Sequence, residues 1–184
     1  MRFFHFLLTA SLAAAAPLSQ RSLAADTVYQ DITNIHNGVL ANQAATSAYN
    51  GGNIATTLIE GAPVIGTVGA IHIANRKGFV DANLSPNFDE PDTQRIFQHV
   101  VDTVGNSIPA DVQVLIGKKP QFASSGLTQV VIASLKLLLN DHDTFSAAVT
   151  AKAYKGNAAL LAEGTAVVAK IHDAIQDGID VYSA

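Results

Sequence analysis

The side chains best placed to do chemistry in this sequence are polar residues that fall on otherwise apolar helical stripes. Apolar residues recur at intervals of three and four along much of the chain, which is the spacing of a helix with one buried face. Continuing the stripe of Ile35 and Val39 in the same steps reaches Asn42 and Thr46. These positions predict polar groups that face the protein interior.

Two further residues follow the same pattern. His72 continues the stripe of Ile65 and Val68, and Ser134 lies between Val131 and Leu138. Such residues often bond only to a nearby backbone carbonyl or fix the register of a helix. The alternative is a small set of hydrogen-bonding groups in an apolar pocket, which would suit an amphiphile with one polar end. The sequence leaves both interpretations open.

Catalytic and metal-binding patterns are missing. Five histidines lie roughly one per helical segment, at His36, His72, His99, His142 and His172, but no i,i+4 ligand pair supports a metal site. Adjacent residues of a helix point in different directions, so the run Asp141-His142-Asp143 predicts an exposed, charged turn of a helix rather than a catalytic dyad. No Gly-x-Ser-x-Gly, His-Glu-x-x-His, phosphate-loop or dinucleotide motif occurs. We therefore expect no metal, no cofactor and no enzyme.

Composition and charge exclude several other classes. The 184 residues are 48% apolar and 14% charged, so one folded domain is expected rather than a disordered chain. The net charge is -4, and basic residues do not cluster beyond Arg76-Lys77 and Lys118-Lys119, which excludes nucleic acid as a partner. The absence of cysteine excludes disulfide scaffolds, thiol enzymes and the disulfide-linked hydrophobins.

The N-terminal residues predict a secreted protein. Met1-Arg2 precedes an apolar run and the small residues 13–16, a pattern typical of a signal peptide. We predict a signal peptide over residues 1–15, a flexible segment over 16–25 and one helical domain over 26–184. The chain ends without a hydrophobic tail, so we expect a secreted, extracellular product with no glycolipid anchor. The glycosylation sequon at Asn83 is followed by Pro86, which leaves its use open.

The spacing of breakers predicts an all-α bundle of about five helices. The first helix should have its cap at Asp26 or Thr27 and end at Gly51-Gly52. The second should have its cap at Asn53 and bend or break near residue 61, because Pro63 and several glycines lie inside it. The third should start at Pro91, with a kink or restart near Gly105-Asn106-Ser107, and it should be followed by a regular helix over about 127–153 and a last helix after Gly156-Asn157. Many positions are Ala or Gly, so the helices either pack closely or leave an apolar cavity.

Several segments resemble one fungal family, the hydrophobic surface-binding protein A group, also called cell-wall galactomannoproteins. The resemblance rests on Val28-Tyr29-Gln30-Asp31-Ile32, Ala48-Tyr49-Asn50-Gly51-Gly52, the segment from Leu115 to Phe122, and Gly126-Leu127. It implies a secreted, helical, non-enzymatic protein of the cell wall or medium that adsorbs to hydrophobic surfaces. Some relatives are similar to modules that enclose a fatty acid, and some are thought to recruit a hydrolase to a hydrophobic polymer.

The stripes and the resemblance together suggest a monomer that holds a fatty acid or another amphiphilic lipid. The polar end of the lipid would contact Asn42, Thr46, His72 or Ser134, or Lys118 and Lys119 at the mouth. The predicted apolar lining consists of Ile35, Val39, Ile65, Val68, Ile96, Val100, Val104, Leu115, Val131, Leu135, Leu138, Phe145, Val167, Ile171 and Ile175.

Two alternatives stay open. In the first, the helices open and adsorb to a hydrophobic polymer without a fixed pocket, where the protein recruits a secreted hydrolase. In the second, the protein is an esterase or a metal-dependent enzyme, although no motif in the sequence favours it.

Overall fold

Seven α-helices account for the regular structure of the described residues. The computed structural model describes residues 22–52 and 54–184, and the predicted all-α fold is confirmed over these ranges. The helices are α1 (Leu23–Ala48), α2 (Ile54–Leu84), α3 (Glu90–Asp102), α4 (Val104–Gly117), α5 (Lys119–Ser124), α6 (Thr128–Lys152) and α7 (Ala158–Ser183).

The long helices form a closed ring. Going round the ring, α1 packs against α2, α2 against α6, α6 against α7, and α7 against α4, which returns to α1. Helices α3 and α4 follow one another along the same side, separated only by Thr103, and together form one member of the ring. The ring therefore has five members. When the axes of neighbouring helices are 8–10 Å apart, the central axis of a five-membered ring lies about 7–8.5 Å from each helix axis. Since a helix with its side chains has a radius of about 5–6 Å, such a ring leaves central space.

Contacts between the helices show which neighbouring helices are parallel and which are antiparallel. Asn42 of α1 bonds to Val64 of α2, and Asp31 pairs with Lys77, so α1 and α2 are antiparallel. Gly61 of α2 approaches Leu127, and His72 contacts Asp141 of α6. Helices α2 and α6 are therefore parallel, and their N-terminal halves lie at the same end of the ring.

The ends of α1 differ from the predicted limits. The helix begins at Leu23, where the hydroxyl of Ser22 accepts a hydrogen bond from the Ala25 amide at 3.1 Å, so neither Asp26 nor Thr27 is the cap. It ends at Ala48, because Tyr49 is already extended, with φ -71° and ψ 121°. The Gly51-Gly52 pair therefore belongs to the following turn. The cap predicted at Asn53 lies outside the described residues.

The predicted break near residue 61 does not occur, because α2 is a single helix from Ile54 to Leu84. Pro63 removes one backbone donor but leaves the rest of the ladder in place. The hydroxyl of Thr67 donates to the Pro63 carbonyl at 2.9 Å. Gly61, Val64 and Ile71 are buried on the inner side, so packing holds the helix both before and after the proline.

The third predicted helix is divided into α3 and α4. The division falls at Thr103, with φ -116° and ψ -94°, and α4 continues through Pro109. The hydroxyl and the backbone N–H of Thr103 both bond to the His99 carbonyl, which ends α3 just before the glycine where the restart was predicted. Near the start of α3, Asp89 is the cap and Pro91 is the second helical residue. Helix α7 begins after Asn157, whose side chain accepts from the Leu160 amide at 3.1 Å.

Candidate functional site

The ring encloses a long apolar cavity. Its volume is about 130 Å³, roughly ten times the space that one buried water needs. All five members of the ring contribute side chains to it. On α6 the lining runs from Val130 to Thr150, which corresponds to about 30 Å along the helix at 1.5 Å per residue. The cavity is thus long and narrow, and comparable in length to an extended fatty acyl chain.

Fourteen of the fifteen predicted apolar residues line this cavity. They are Ile35, Val39, Ile65, Val68, Val100, Val104, Leu115, Val131, Leu135, Leu138, Phe145, Val167, Ile171 and Ile175. Ile96 is the exception. Its side chain is fully buried, but it packs in the core outside the lining. The contact of these residues with a lipid stays a prediction.

The predicted polar residues divide into two pairs. Asn42 and Ser134 line the cavity. The Asn42 amide donates to the hydroxyl of Thr67 at 2.8 Å and to the Val64 carbonyl at 3.3 Å. Thr46 is fully buried and donates to the Asn42 side chain at 3.5 Å, so its hydroxyl serves helix α1 rather than the cavity. His72 lies outside the lining, where it contacts Asp141.

The two lysines predicted for the mouth are bonded to backbone carbonyls. Lys118 Nζ donates to the Tyr49 carbonyl at 2.7 Å, and Lys119 Nζ donates to the Val181 carbonyl at 2.6 Å. They join the C-terminal ends of α1, α4 and α7. Their ammonium groups stabilise one end of the ring.

Two of the segments that carry the resemblance, Ala48–Gly52 and Leu115–Phe122, meet at this end. Tyr49 stacks on Phe122 with ring centroids 4.5 Å apart, and Phe122 lines the cavity. Gly51 has a φ of +73°, and a Cβ there would lie 2.9 Å from the Gln121 carbonyl oxygen. The hydroxyl of Tyr182 donates to the Leu115 carbonyl at 2.7 Å beside the same cluster. Helix α5 therefore closes the end of the cavity, and glycine is required where the turn approaches it.

Sequence reasoning missed several polar residues of the lining: Asn75, Asp111, His142, Ser146 and Thr150. A signal existed for three of them. Asn75 lies four residues after Ile71, and His142 lies four residues after Leu138, so both continue an apolar stripe. Asp111 does the same, since it lies three residues after Ile108 and four before Leu115. The acidic neighbours of His142 pointed instead to an exposed turn.

Asp111 is the acidic group of the lining. Its Oδ1 atom is buried and has no hydrogen-bond partner within the protein. Burial raises the pKa of this carboxyl to about 7, because the charged form is poorly solvated there. The neutral acid is therefore well populated near neutral pH and can donate a hydrogen bond into the cavity.

His142 is bonded on both ring nitrogens. Nε2 lies 3.1 Å from the Val168 carbonyl and Nδ1 lies 3.3 Å from the hydroxyl of Ser146. Burial lowers its pKa below the ordinary value, which favours the neutral ring. With neutral His142, the lining carries little fixed charge.

The prediction of an exposed turn at Asp141-His142-Asp143 was wrong, because Asp141 and His142 are buried and only Asp143 is exposed. The three residues form no catalytic dyad with one another. Asp141 contacts His72 at 2.6 Å, His142 contacts the α7 backbone, and Asp143 contacts His172 at 2.9 Å. Over residues 22–52 and 54–184, no three His, Asp or Glu side chains converge as metal ligands would. None of the described helices is both long and apolar enough to span a bilayer.

Solved structures of the same fold hold fatty acids. Afmp4p, solved with palmitic acid, superposes with a TM-score of 0.78 over 86% of this chain and 99% of that chain, at 18% identity. Ligand-binding domain 1 of the Mp1 protein of Penicillium marneffei, solved with arachidonic acids, gives 0.77 at 23% identity over 88% and 99% of the two chains. Domain 2 of the same protein, with multiple arachidonic acids, gives 0.77 at 19% identity over 90% and 99%. These likenesses show the fold.

Sequence comparison identifies the family. A search of curated proteins finds no match. The family model described as hydrophobic surface binding protein A matches residues 25–151, which is more than half of the chain. This match confirms the resemblance that was drawn from the segments between Val28 and Leu127. The chain belongs to the hydrophobic surface binding protein A family.

Proposed function

We propose that this protein binds a long-chain fatty acid, or a similar single-chain amphiphile, inside the helix ring. The observation that carries the proposal is the long apolar cavity with a few polar groups in its wall. Support comes from structures of the same fold that contain palmitic or arachidonic acid. The family description supports contact with hydrophobic material more generally.

The energy of burial favours such a ligand. Each methylene that leaves water contributes about 0.8 kcal/mol, so ten methylenes supply about 8 kcal/mol before ordering costs. The lining offers side chains of Val, Ile, Leu and Phe along most of its length. An acyl chain therefore fits the cavity better than a polar metabolite does.

Ser134 is the best-placed partner for the polar end. Its hydroxyl lies in the lining and forms no hydrogen bond with the described part of the chain, whereas both amide contacts of Asn42 are directed to Val64 and Thr67. The neutral form of Asp111 supplies a second donor. Lys118 and Lys119 are engaged with backbone carbonyls, and Thr46 and His72 lie outside the lining. We therefore place the carboxylate near Ser134 and Asp111.

Secretion and cell-wall association belong to the same proposal. They rest on the signal-peptide pattern of residues 1–15 and on the family resemblance. N-terminal sequencing of protein recovered from the culture medium tests this part directly. A mature N-terminus at Ala16 is expected, and retention of the full chain inside cells would contradict secretion.

The lipid-binding proposal is tested by native mass spectrometry followed by titration with palmitic and arachidonic acid. Saturable binding at one or a few molecules per chain is expected. The variant Val131→Trp places a large side chain in the cavity and should weaken binding, whereas Leu137→Trp on the same helix lies outside the lining and should not. Absence of both retained lipid and saturable binding in the wild type would overturn the proposal.

Adsorption without a fixed pocket is the second candidate function. It is favoured by exposed apolar residues on α2, including Ile59, Ile65 and Ile73. In that mechanism the helices open on a hydrophobic polymer, where the protein would recruit a secreted hydrolase. Loss of the near-UV circular dichroism signal on adsorption, with no effect of bound fatty acid, would favour it over the cavity.

A further inference from the structure

The outward side of α2 is apolar over four turns. Ile59 and Ile73 are 75% and 69% exposed, and both lie outside the cavity lining. At 100° per residue they share one side of the helix with Ala62, Pro63, Gly66 and Ala70, which are also exposed. No Asp, Glu, Lys or Arg occurs between Glu60 and Arg76. We call these six residues the α2 face.

The cavity reaches the surface beside this face. Ile65 of α2 and Val130 of α6 both line the cavity, yet they are 55% and 42% exposed. Every other lining side chain is buried or partly buried in the described ranges. A side chain that lines the cavity and also has about half of its surface exposed to solvent marks an opening of the cavity.

Helix geometry places these two residues in one seam. Ile65 lies seven residues before His72, and Val130 lies eleven residues before Asp141, so each shares a side of its helix with its later partner. His72 and Asp141 contact each other across the junction of α2 and α6. Because these helices are parallel, Ile65 and Val130 occupy the same junction towards the N-terminal ends.

In this part of the junction, the described side chains form no polar contact between α2 and α6. Between Gly61 and Ile71, no described side chain of α2 forms a hydrogen bond or ion pair with α6. A Cβ at Gly69, on the side of α2 that carries Ile65, would meet no atom within 4 Å, so α2 packs loosely at this position. Apolar contacts alone close the seam, and these separate at little cost when an acyl chain replaces them.

We propose that the α2–α6 seam at Ile65 and Val130 is the entrance of the cavity, and that the α2 face docks on a lipid surface to deliver the ligand to it. The inference rests on the proposed lipid-binding function. A bilayer or lipid aggregate is the occupant because its acyl chains are the ligand of the cavity to which the face leads. A charge-free face also avoids the desolvation cost that a charged side chain would impose on contact with lipid.

Docking on a lipid surface and uptake of the ligand from water predict different rates of ligand transfer. A ligand that passes through water leaves a vesicle at a rate independent of protein concentration, whereas a docked protein removes it by collision. We would measure transfer of a fluorescent palmitic acid analogue from phosphatidylcholine vesicles. The initial rate should rise in proportion to protein concentration, and a rate that does not change would overturn docking.

The variant Ile59→Asp/Ile73→Asp tests the face. Transfer should slow about tenfold or more because two apolar anchors are replaced by charges. Equilibrium affinity for the analogue in solution should not change, since neither residue lines the cavity. Leu23→Asp/Tyr154→Asp is the matched control, because both side chains are exposed at the opposite end of the ring.

The outcomes separate the two proposals. Loss of solution binding by the wild type would overturn the proposed function itself. Normal solution binding with unchanged transfer by the Ile59/Ile73 variant would overturn the α2 face alone. Sedimentation that shows a wild-type dimer dissociated by the same variant would assign the face to a second copy and overturn lipid docking.

The seam is tested by cross-linking in this cysteine-free chain. A reversible bis-methanethiosulfonate cross-link in Ile65→Cys/Val130→Cys should slow exchange of bound fatty acid about tenfold or more, and reduction should restore it. The control is Asp143→Cys/His172→Cys, which joins α6 to α7 where the native side chains are 2.9 Å apart. Equal exchange before and after the cross-link in the seam would place the entrance elsewhere.

Discussion

Nδ1 of His72 lies 2.6 Å from Oδ2 of Asp141, and this pair joins α2 to α6. Asp141 is 1% exposed, whereas the His72 side chain is 36% exposed. The contact therefore reaches from the surface to a buried carboxylate. It fastens the junction of the two helices beyond the seam at Ile65 and Val130. Neither residue is free to bind a lipid head group or to act with His142.

Replacing His72 should destabilise the protein, because it leaves a buried carboxylate without its partner. We expect His72→Ala to lower the free energy of unfolding by about 2 kcal/mol, the usual effect of a lost hydrogen bond to a charged group. Urea denaturation at neutral pH measures this. His172→Ala is the control, since the His172–Asp143 pair is exposed and should contribute less than about 1 kcal/mol. Equal effects of the two variants would contradict the assigned role.

Gly164 and Gly66 should respond to alanine in opposite directions. A Cβ at Gly164 would collide with the ring of Phe97, and both residues line the cavity. We expect Gly164→Ala to destabilise the protein by about 1–3 kcal/mol and to weaken fatty acid binding, because the displaced ring enters the cavity. Gly66→Ala meets open space and should stabilise α2 by about 0.5–1 kcal/mol. Thermal unfolding and lipid titration of both variants provide the comparison.

Asp111 should make stability depend on pH. Its pKa in the folded protein, about 7, lies above the ordinary value of 3.8, so the folded state holds the proton more strongly than the unfolded state. Its contribution to stability is therefore complete below about pH 4 and is lost as the pH rises to about 7.

The variant Asp111→Asn isolates this contribution, since other groups also titrate. Relative to the wild type, the variant should gain stability steadily between pH 4 and pH 7, with no further gain above that range. Urea unfolding at intervals across this range measures the difference. A difference that is constant with pH would show that this carboxyl is solvated in the folded protein.

Ser134 and Ser146 line different parts of the cavity and distinguish two ligand orientations. We expect Ser134→Ala to weaken palmitic acid binding at least about threefold to tenfold, because the carboxylate loses one hydrogen bond. Ser146→Ala should change affinity little. Isothermal titration of both variants tests the orientation, and the reverse ranking would place the carboxylate beside His142.

The family and the helical class were predictable from sequence, because both depend on local patterns. The period of the apolar stripes identifies the buried face of a helix even when the helices that pack against it are not known. Fourteen of the fifteen predicted stripe residues line the cavity. Helix α7 was likewise predictable from Asn157, whose side chain caps it. Local signals also favoured a break near Pro63, but burial of Val64 and Ile71 overrides that preference.

Tertiary structure decided which polar residues face the cavity. Thr46 and Asn42 lie on the same stripe, yet only Asn42 is in the lining, because Thr46 is fully buried and its hydroxyl is bonded to the Asn42 side chain. His72 is directed to Asp141, which is 69 residues away.

The cavity itself is also a property of the assembled ring. Each helix shows only that it has an apolar side. When five helical members close into a ring around one axis, they leave central space that small and medium side chains do not fill. The sequence of a single helix does not specify how many helices form the ring. The sequence thus determined the helices and their inner faces, whereas the cavity and its opening at Ile65 and Val130 follow from how the helices are arranged.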